Sequence, residues 1–408
     1  MNSPFATSTV ALRSVEEHSA MVAGLIGITA VRQSNLVAAS GLVLAEPVFA
    51  PDPLPLFDTS AVDGYAVHVS DLIGASAESP VLLPVAQHVP VTYRAPVVSA
   101  VGTAVEISAG APVPAGSTGI VPMDEVRVDE GRVEFRGRCA FGAHIRRRGG
   151  DVREGQRLLA PGTALSPVHT GLLAGVGVRS VSVRRRLRVA VISTGDEIIY
   201  RSTVLGFGQI HDCNSVMLAA AVVACGADVT MCVSVADSVD EFRAVLATAC
   251  AGADVVITSG GIDAGRDGVV DTALRAEDMG FVDVAMWPDR PEGAGRMLGT
   301  AVLSFPGNPL AAYESFELFA RPNFRLAMGL SAEERRQVSV PLAHGVDPRP
   351  GHPSFHLAHL NTNGTVTLLT GVERHGLESA AGADCFVRLD DTSASLAAGH
   401  LVAAVALR

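Results

Sequence analysis

Apolar and polar positions change rhythm several times along the chain. Residues 12–40 carry helical spacing, and "SVEEHSAMVAGLI" opens on Ser14 with Glu17 three residues on, a capping-box pattern. From 48 to 145 short β runs are divided by Pro and Gly, as in "EPVFAPDPLPL", which predicts a small β-rich domain. "DEGRVEF" reads there as a hairpin turn. Residues 163–180 return to helix, with Pro167 suited to a first turn. From 187 onward the strands "LRVAVIST", "DVTMCVSVAD", "DVVITSGG" and "TAVLSF" alternate with helices such as "NSVMLAAAVVACGA". Such alternation predicts right-handed βαβ crossovers and a doubly wound, mostly parallel sheet. Residues 336–408 are strand and turn again. The expected fold class is multidomain α/β. An N-terminal region over 1–185 holds a β-rich insert at about 48–145. An α/β domain over 186–330 and a C-terminal β domain over 336–408 follow.

Composition narrows the class of function. The 408 residues exceed one core at roughly 100–200 residues per domain. Hydrophobic residues are 48% and charged residues 18%, which argues against disorder. With 31 Lys+Arg against 42 Asp+Glu, the net charge of -11 disfavours general nucleic-acid binding. A local basic pocket for a small anion stays open. The N-terminus shows no cationic stretch followed by an apolar run, and no run of about 18 apolar residues occurs, so neither signal peptide nor membrane span is expected. Six scattered cysteines without a CxxC pair read as free thiols in a reducing cytoplasm.

Candidate chemistry gathers at strand ends, where doubly wound sheets bind ligands. "ISTGDEI" carries Ser193, Thr194, Gly195, Asp196 and Glu197. "TSGGIDAG" carries Ser259, Gly260 and Gly261, whose amides are suited to cradle an anion. "FPGNP" carries Pro306, Gly307 and Asn308, a helix start whose free amides and dipole would attract phosphate. Turn chemistry alone accounts equally for each one; their shared edge favours a site. "GQIHDCNS" joins these stretches, its Asp212 and Asn214 either sharing that edge or merely capping the helix that follows, and Asp237 precedes a capping box at Ser238 and Glu241. "AHIRRRGGD" is a dense basic run: Arg146, Arg147 and Arg148 either hold an anion or decorate a solvated hairpin. "VRRRLR" reads as a linker.

Seven stretches together, "FDTSAVDGYAV", "GAPVPAG", "IRRRGGD", "ISTGDEI", "GQIHDCNS", "TSGGIDAG" and "FPGNPLAAYESF", resemble the molybdopterin molybdenumtransferase family, which includes bacterial MoeA and the gephyrin E domain. The resemblance spans nearly the whole chain in order. It implies an elongated homodimer with the active cleft between the sheet domain of one subunit and the N-terminal region of the other. It also implies insertion of molybdenum from molybdate into adenylylated molybdopterin, with AMP released and Mg²⁺ or another divalent cation assisting. Hard cations take carboxylate oxygens. On that resemblance Asp63, Glu197 and Asp237 are the catalytic candidates, and Asp63, Asp196 and Asp237 the metal candidates. Ser193, Thr194, Gly195, Ser259, Gly260, Gly261, Arg290, Pro306, Gly307, Asn308, Arg146 and Asp151 are the candidates for holding the pterin nucleotide.

Several positions depart from the family pattern. Ala109 stands where a Thr is common, and Gly268 where a carboxylate is common. Asp283 and Trp287 replace cationic or Gln positions, while Arg290 keeps a cation. At about 4 Å and an effective dielectric near 20, unit charges interact by roughly 4 kcal/mol, so Asp283 facing an anion would matter. Trp287 is suited to stack on a pterin or adenine, to contact a protein, or to pack in the cleft wall. These departures leave an alternative open: a catalytically depleted, gephyrin-like scaffold that binds a peptide or protein in the groove between sheet and C-terminal domains.

Overall fold

The fold was read from a computed structural model. It describes residues 12–92, 95–199, 204–262, 268–275, 277–286, 290–332, 335, 337–348, 351–369, 377–390 and 395–407, with Arg290 described by its backbone only. The chain falls into two compact units. One takes in the chain through Arg32, Gly41–Val43 and everything from Arg184 onward; the other takes in Gln33–Ser40 and Leu44–Val183.

The first unit is built on a seven-stranded sheet. Its order is Leu12–Arg13, Asp278–Val284, Arg290–Met297, Thr300–Phe305, Val255–Ser259, Arg188–Thr194 and Asp228–Val235. Only Arg290–Met297 runs antiparallel to its neighbours, so the sheet is mostly parallel as expected. Side chains alternate between faces along a strand. Val189 and Val191 therefore join one core with Leu218, Phe316 and Phe324, while Ala190 and Ile192 join another with Phe242, Leu246 and Leu274. Helices Val15–Leu25, Asn214–Ala224 and Pro309–Ser315 cover the first face; Val239–Gly252 and Val269–Leu274 cover the second. That is a doubly wound α/β sheet. Five antiparallel strands between Gln337 and Ala406 form a further sheet, whose Phe355 and Phe386 stack at 5.7 Å and join the first core.

The "VRRRLR" stretch does more than link. Arg185 grips Asp254 through two bonds of 2.5 and 2.8 Å, and the Arg188 amide adds a third at 2.9 Å. Burial alone would raise this carboxyl, but the bonds from Arg185 and Arg188 outweigh it and hold it well below the usual carboxylate range. A depressed carboxyl stabilises the fold above its unfolded pKa, and that stability is lost as pH falls toward the folded value. Asp254→Asn is expected to cost about 1–2 kcal/mol at pH 7 in denaturant unfolding, with the difference shrinking below about pH 4.

In the second unit a six-stranded sheet runs Gly119–Pro122, Gly64–Val67, Ala104–Ile107, Val81–Val89, Arg132–Phe135, Val126–Asp129. Its last two strands form the expected hairpin, turned by Glu130 and Gly131 at φ 45° and 76°. The capping box of Ser14 and Glu17 is present, with Val15–Leu25 behind it. The helical reading of 12–40 is too long, however. The helix stops before Gly27, and Val31–Asn35 is a strand; Gly27 and the β-branched Ile26, Ile28, Thr29 and Val31 are poor helix formers, and helix returns only over Leu36–Ala39. The first strand and helix also belong with the sheet domain, because Leu12–Arg13 pairs with Asp283–Val284. Among the described residues no helix is long and apolar enough to cross a membrane.

Candidate active-site cleft

Three neighbouring parallel strands end at one edge of the sheet. Register places Ser193 beside Ser259 and Ser259 beside Phe305, so "STG", "SGG" and "FPGN" leave the sheet side by side. After Arg188–Thr194 the chain crosses to Asn214–Ala224 on one face; after Val255–Ser259 it crosses to Val269–Leu274 on the other. Connections that part to opposite faces open a crevice. A cleft of about 500 Å³ lies there, lined by Thr194, Gly195, Glu197, Asp237, Gly260 and Gly261 with Ser259 and Gly307.

The two glycines are required by geometry. Gly260 and Gly261 sit at φ 88° and 66°. A Cβ on Gly260 would lie 2.7 Å from the Thr194 carbonyl oxygen, and one on Gly261 2.7 Å from Thr194 Oγ1. The Gly260 amide donates to the Phe305 carbonyl at 3.2 Å, so it is committed to the sheet rather than to an anion. Among the described residues the Gly261 amide meets no acceptor. The Gly261 carbonyl accepts from Val270 at 3.1 Å and closes the turn onto the next helix.

Carboxylates line the other side. Asp196 and Asp237 cap each other's backbone: the Asp237 amide donates to Asp196 Oδ1 at 2.9 Å, and the Asp196 amide to Asp237 Oδ2 at 3.4 Å. Burial raises the Asp237 carboxyl; repulsion from Asp196 and Glu197 adds to it, against the Asp196 amide bond. Ser238 caps Val239–Gly252 through the Glu241 amide at 3.4 Å. The charged groups among the described lining are Glu197, Asp212 and Asp237, with no Lys or Arg. Among the described residues no three His, Cys, Asp or Glu side chains converge as a metal site.

Asp212 and Asn214, which the sequence leaves open between the strand-end set and simple helix caps, belong to this cleft. Asp212 does cap, accepting from the Ser215 amide at 3.0 Å, and also takes the Ser193 hydroxyl at 3.2 Å. Asn214 does not cap. Its Nδ2 reaches Ser259 Oγ at 2.9 Å and the Gly307 carbonyl at 2.8 Å. Both line the cleft together with Cys213. The signal available in sequence was two polar residues, at 212 and 214, beside the other strand-end motifs.

Other candidates stand elsewhere. Ser193 and Pro306 lie behind the lining, Pro306 accepting from Ser259 Oγ at 3.0 Å. The free amides expected at Asn308 are not free: Asn308 Oδ1 takes both the Leu310 and Ala311 amides at 3.1 Å, so the cap itself fills that anion position. Asp63, Arg146 and Asp151 belong to the second unit. There Asp63 Oδ1 accepts the Ala109 amide at 2.8 Å, and Arg146 pairs with Asp151 at 2.5 Å. Arg147 pairs with Asp58 at 2.7 Å, and Arg148 with Glu154 at 3.4 Å. Burial would raise the Asp58 carboxyl, but the Arg148 amide and Arg147 guanidinium outweigh it and lower it. The basic run is thus a salt-bridged turn, and Asp58 is its anchor. Asp283 lies within its strand opposite Pro291. The Arg290 side chain and Trp287 fall outside the described residues.

Comparison with known proteins follows the same lines. Residues 13–177 match the family described as MoeA N-terminal region (domain I and II), and residues 190–326 match the probable molybdopterin binding domain. Molybdopterin molybdenumtransferase 2 of Mycobacterium tuberculosis is 40% identical over 396 residues, covering 95% of this chain and 98% of that protein. Molybdopterin molybdenumtransferase of Synechococcus elongatus is 32% identical over 351 residues, 83% of this chain and 85% of that one. Two crystal structures of a MoeA protein from Pyrococcus horikoshii align with TM-scores of 0.83 and 0.78 at 27% and 24% identity. Each alignment covers 97% of this chain, and 99% and 100% of those chains. With its two-part domain match, its near full-length relatives and its strand-end cleft, the chain belongs to the MoeA family of molybdopterin molybdenumtransferases.

Proposed function

We propose that the cleft at Thr194, Gly260–Gly261 and Gly307 carries the family's transferase reaction in molybdenum cofactor biosynthesis. Molybdate and adenylylated molybdopterin are the substrates, molybdenum enters the dithiolene and AMP leaves. The observation that carries this reading is the opposed lining: a diglycine turn that lets backbone approach a ligand, faced by Glu197, Asp212 and Asp237. Backbone at Gly261 and Gly307 would orient the pterin nucleotide, and Asp237, with its raised carboxyl, is suited to hold or release a proton at the reacting end.

The donor set also fits Mg²⁺. Asp196 and Asp237 offer hard oxygen ligands, and the repulsion around Asp237 is what a cation would relieve. Magnesium takes one or two carboxylates and completes its shell with water and substrate phosphate, so a preformed three-ligand site is not needed. When bound there it would offset phosphoanhydride charge. That charge supply matters in a cleft whose described lining has no Lys or Arg.

A homodimer that brings Asp63 from one chain to the cleft of the other, and a cytoplasmic setting, rest on the family resemblance. The relatives reported above carry transferase or MoeA names, and none of them favours the scaffold reading. Asp63→Asn tests the assignment. Asn keeps an oxygen for the Ala109 amide, so the melting temperature should hold within about 1 °C while AMP release falls about tenfold. Unchanged AMP release would remove Asp63 from the chemistry. No AMP release by the unaltered protein with Mg²⁺ and molybdate would remove the reading.

A further inference from the structure

A cleft for a polyanion should keep carbonyl oxygens turned away from its ligand, since each is a partial negative charge. The "FPGN" turn brings the Gly307 carbonyl to the cleft lining, with the Pro306 carbonyl just behind it. Both are occupied. Asn214 Nδ2 donates to the Gly307 carbonyl at 2.8 Å and to Ser259 Oγ at 2.9 Å; Ser259 Oγ in turn donates to the Pro306 carbonyl at 3.0 Å. Asn214 and Ser259 are 5% and 1% exposed, so the bonds through Ser259 are buried and hold geometry tightly, while the bond to the exposed Gly307 is half-buried at the cleft surface. The orientation of the amide is fixed as well. Both partners of Nδ2 call for a donor, because the Ser259 hydroxyl is spent on Pro306, and Oδ1 receives the Cys213 thiol at 3.5 Å. Asn214 opens a helix, yet its side chain makes no cap bond. Three chain segments that are far apart in sequence meet at this one amide.

We infer that Asn214, with Ser259, is a positioning residue that masks the Pro306 and Gly307 carbonyls and so sets the affinity of the cleft for anionic ligands. The inference rests on the cleft being the nucleotide site. Removing the amide donors would leave the Gly307 oxygen seeking a new partner, and the cleft would present an added acceptor to phosphate. The loss is selective. It weakens an anion and leaves a neutral ligand of the same shape nearly untouched, whereas a general collapse of the floor weakens both.

Calorimetry with AMP and with adenosine, in Mg²⁺, separates these cases for the full chain and for Asn214→Leu, which keeps side-chain volume. The expected result is an AMP dissociation constant raised about tenfold with that of adenosine changed less than about twofold. Ser259→Ala, which frees only the Pro306 carbonyl and one acceptor of Asn214, should give a smaller loss of the same selectivity, and it decides the matter if Asn214→Leu does not fold. Equal weakening of both ligands, or AMP binding unchanged, overturns the inference while leaving the cleft assignment in place. A full chain that binds no AMP overturns the cleft assignment, and the inference falls with it.

Discussion

Asp237→Asn should slow AMP release by a factor of about 10² to 10³ while the protein melts no lower than before. The two halves of this expectation come from one arrangement. Asp237 is an exposed residue of the cleft rim beside Asp196 and Glu197, and its carboxyl is raised first by partial desolvation and then by their repulsion. A raised carboxyl contributes stability that is complete below its unfolded pKa and disappears as pH rises through its folded value. At neutral pH the ionised group is therefore a cost to the fold. The amide of Asn removes that cost. It still accepts from the Asp196 amide, and the backbone bond from the residue 237 amide to Asp196 Oδ1 is untouched. Thermal melts across pH should show the variant gaining on the parent as pH rises above about 4 and matching it below. Activity moves the other way, because a cation ligand or proton carrier has been lost. A variant that melts lower at neutral pH with full activity would make Asp237 a helix-start residue and nothing more.

The parts of this architecture that were legible in the sequence are those set by local rules. Val189, Ala190, Val191 and Ile192 form an apolar run too short for a helix, and in the structure they feed the two faces of a buried strand alternately. Ser14 with Glu17, and Glu130 with Gly131, act through neighbours and were readable for that reason. What escaped depends on partners far along the chain. Asp254 meets Arg185 across 69 residues, and nothing near either residue signals the other. Asp58 meets Arg147 across 89. Asn214 reads in sequence equally as a cap, because Asn before a helix usually is one, and as part of the strand-end set. At Asn308 the N-cap that the sequence suggests does form, and by forming it fills the helix-start amides that would otherwise face an anion. In both cases the residue type was informative and its partner was not, since one side-chain oxygen serves a cap or a ligand site equally well until the fold decides.

Placing at Gly268 the carboxylate that the family resemblance implies there, as Gly268→Asp, is expected to harm the protein rather than improve it. Gly268 opens the helix Val269–Leu274 at φ -61°, a conformation any residue adopts, so backbone strain is not the obstacle. Space is. A Cβ on Gly268 would lie 2.1 Å from the Gly261 carbonyl oxygen, well inside contact distance. That oxygen cannot retreat freely, because it receives the Val270 amide at 3.1 Å and belongs to the diglycine turn pressed against Thr194. Relief therefore has to come from moving Gly261, which is the part of the cleft that needs to stay. Overpacking of this kind costs about 2–3 kcal/mol, and both melting temperature and AMP affinity should fall together. Adding the carboxylate would also place a fourth negative group near a described lining that already holds Glu197, Asp212 and Asp237. The measurement is a melt and an AMP titration on Gly268→Asp, with Gly268→Ala as the uncharged control. Ala should reproduce most of the stability loss, since the clash is at Cβ. If Asp melts like the parent and turns over faster, the turn between Gly261 and Gly268 is open enough for a side chain, and the glycine marks a lost catalytic group instead of a close backbone contact.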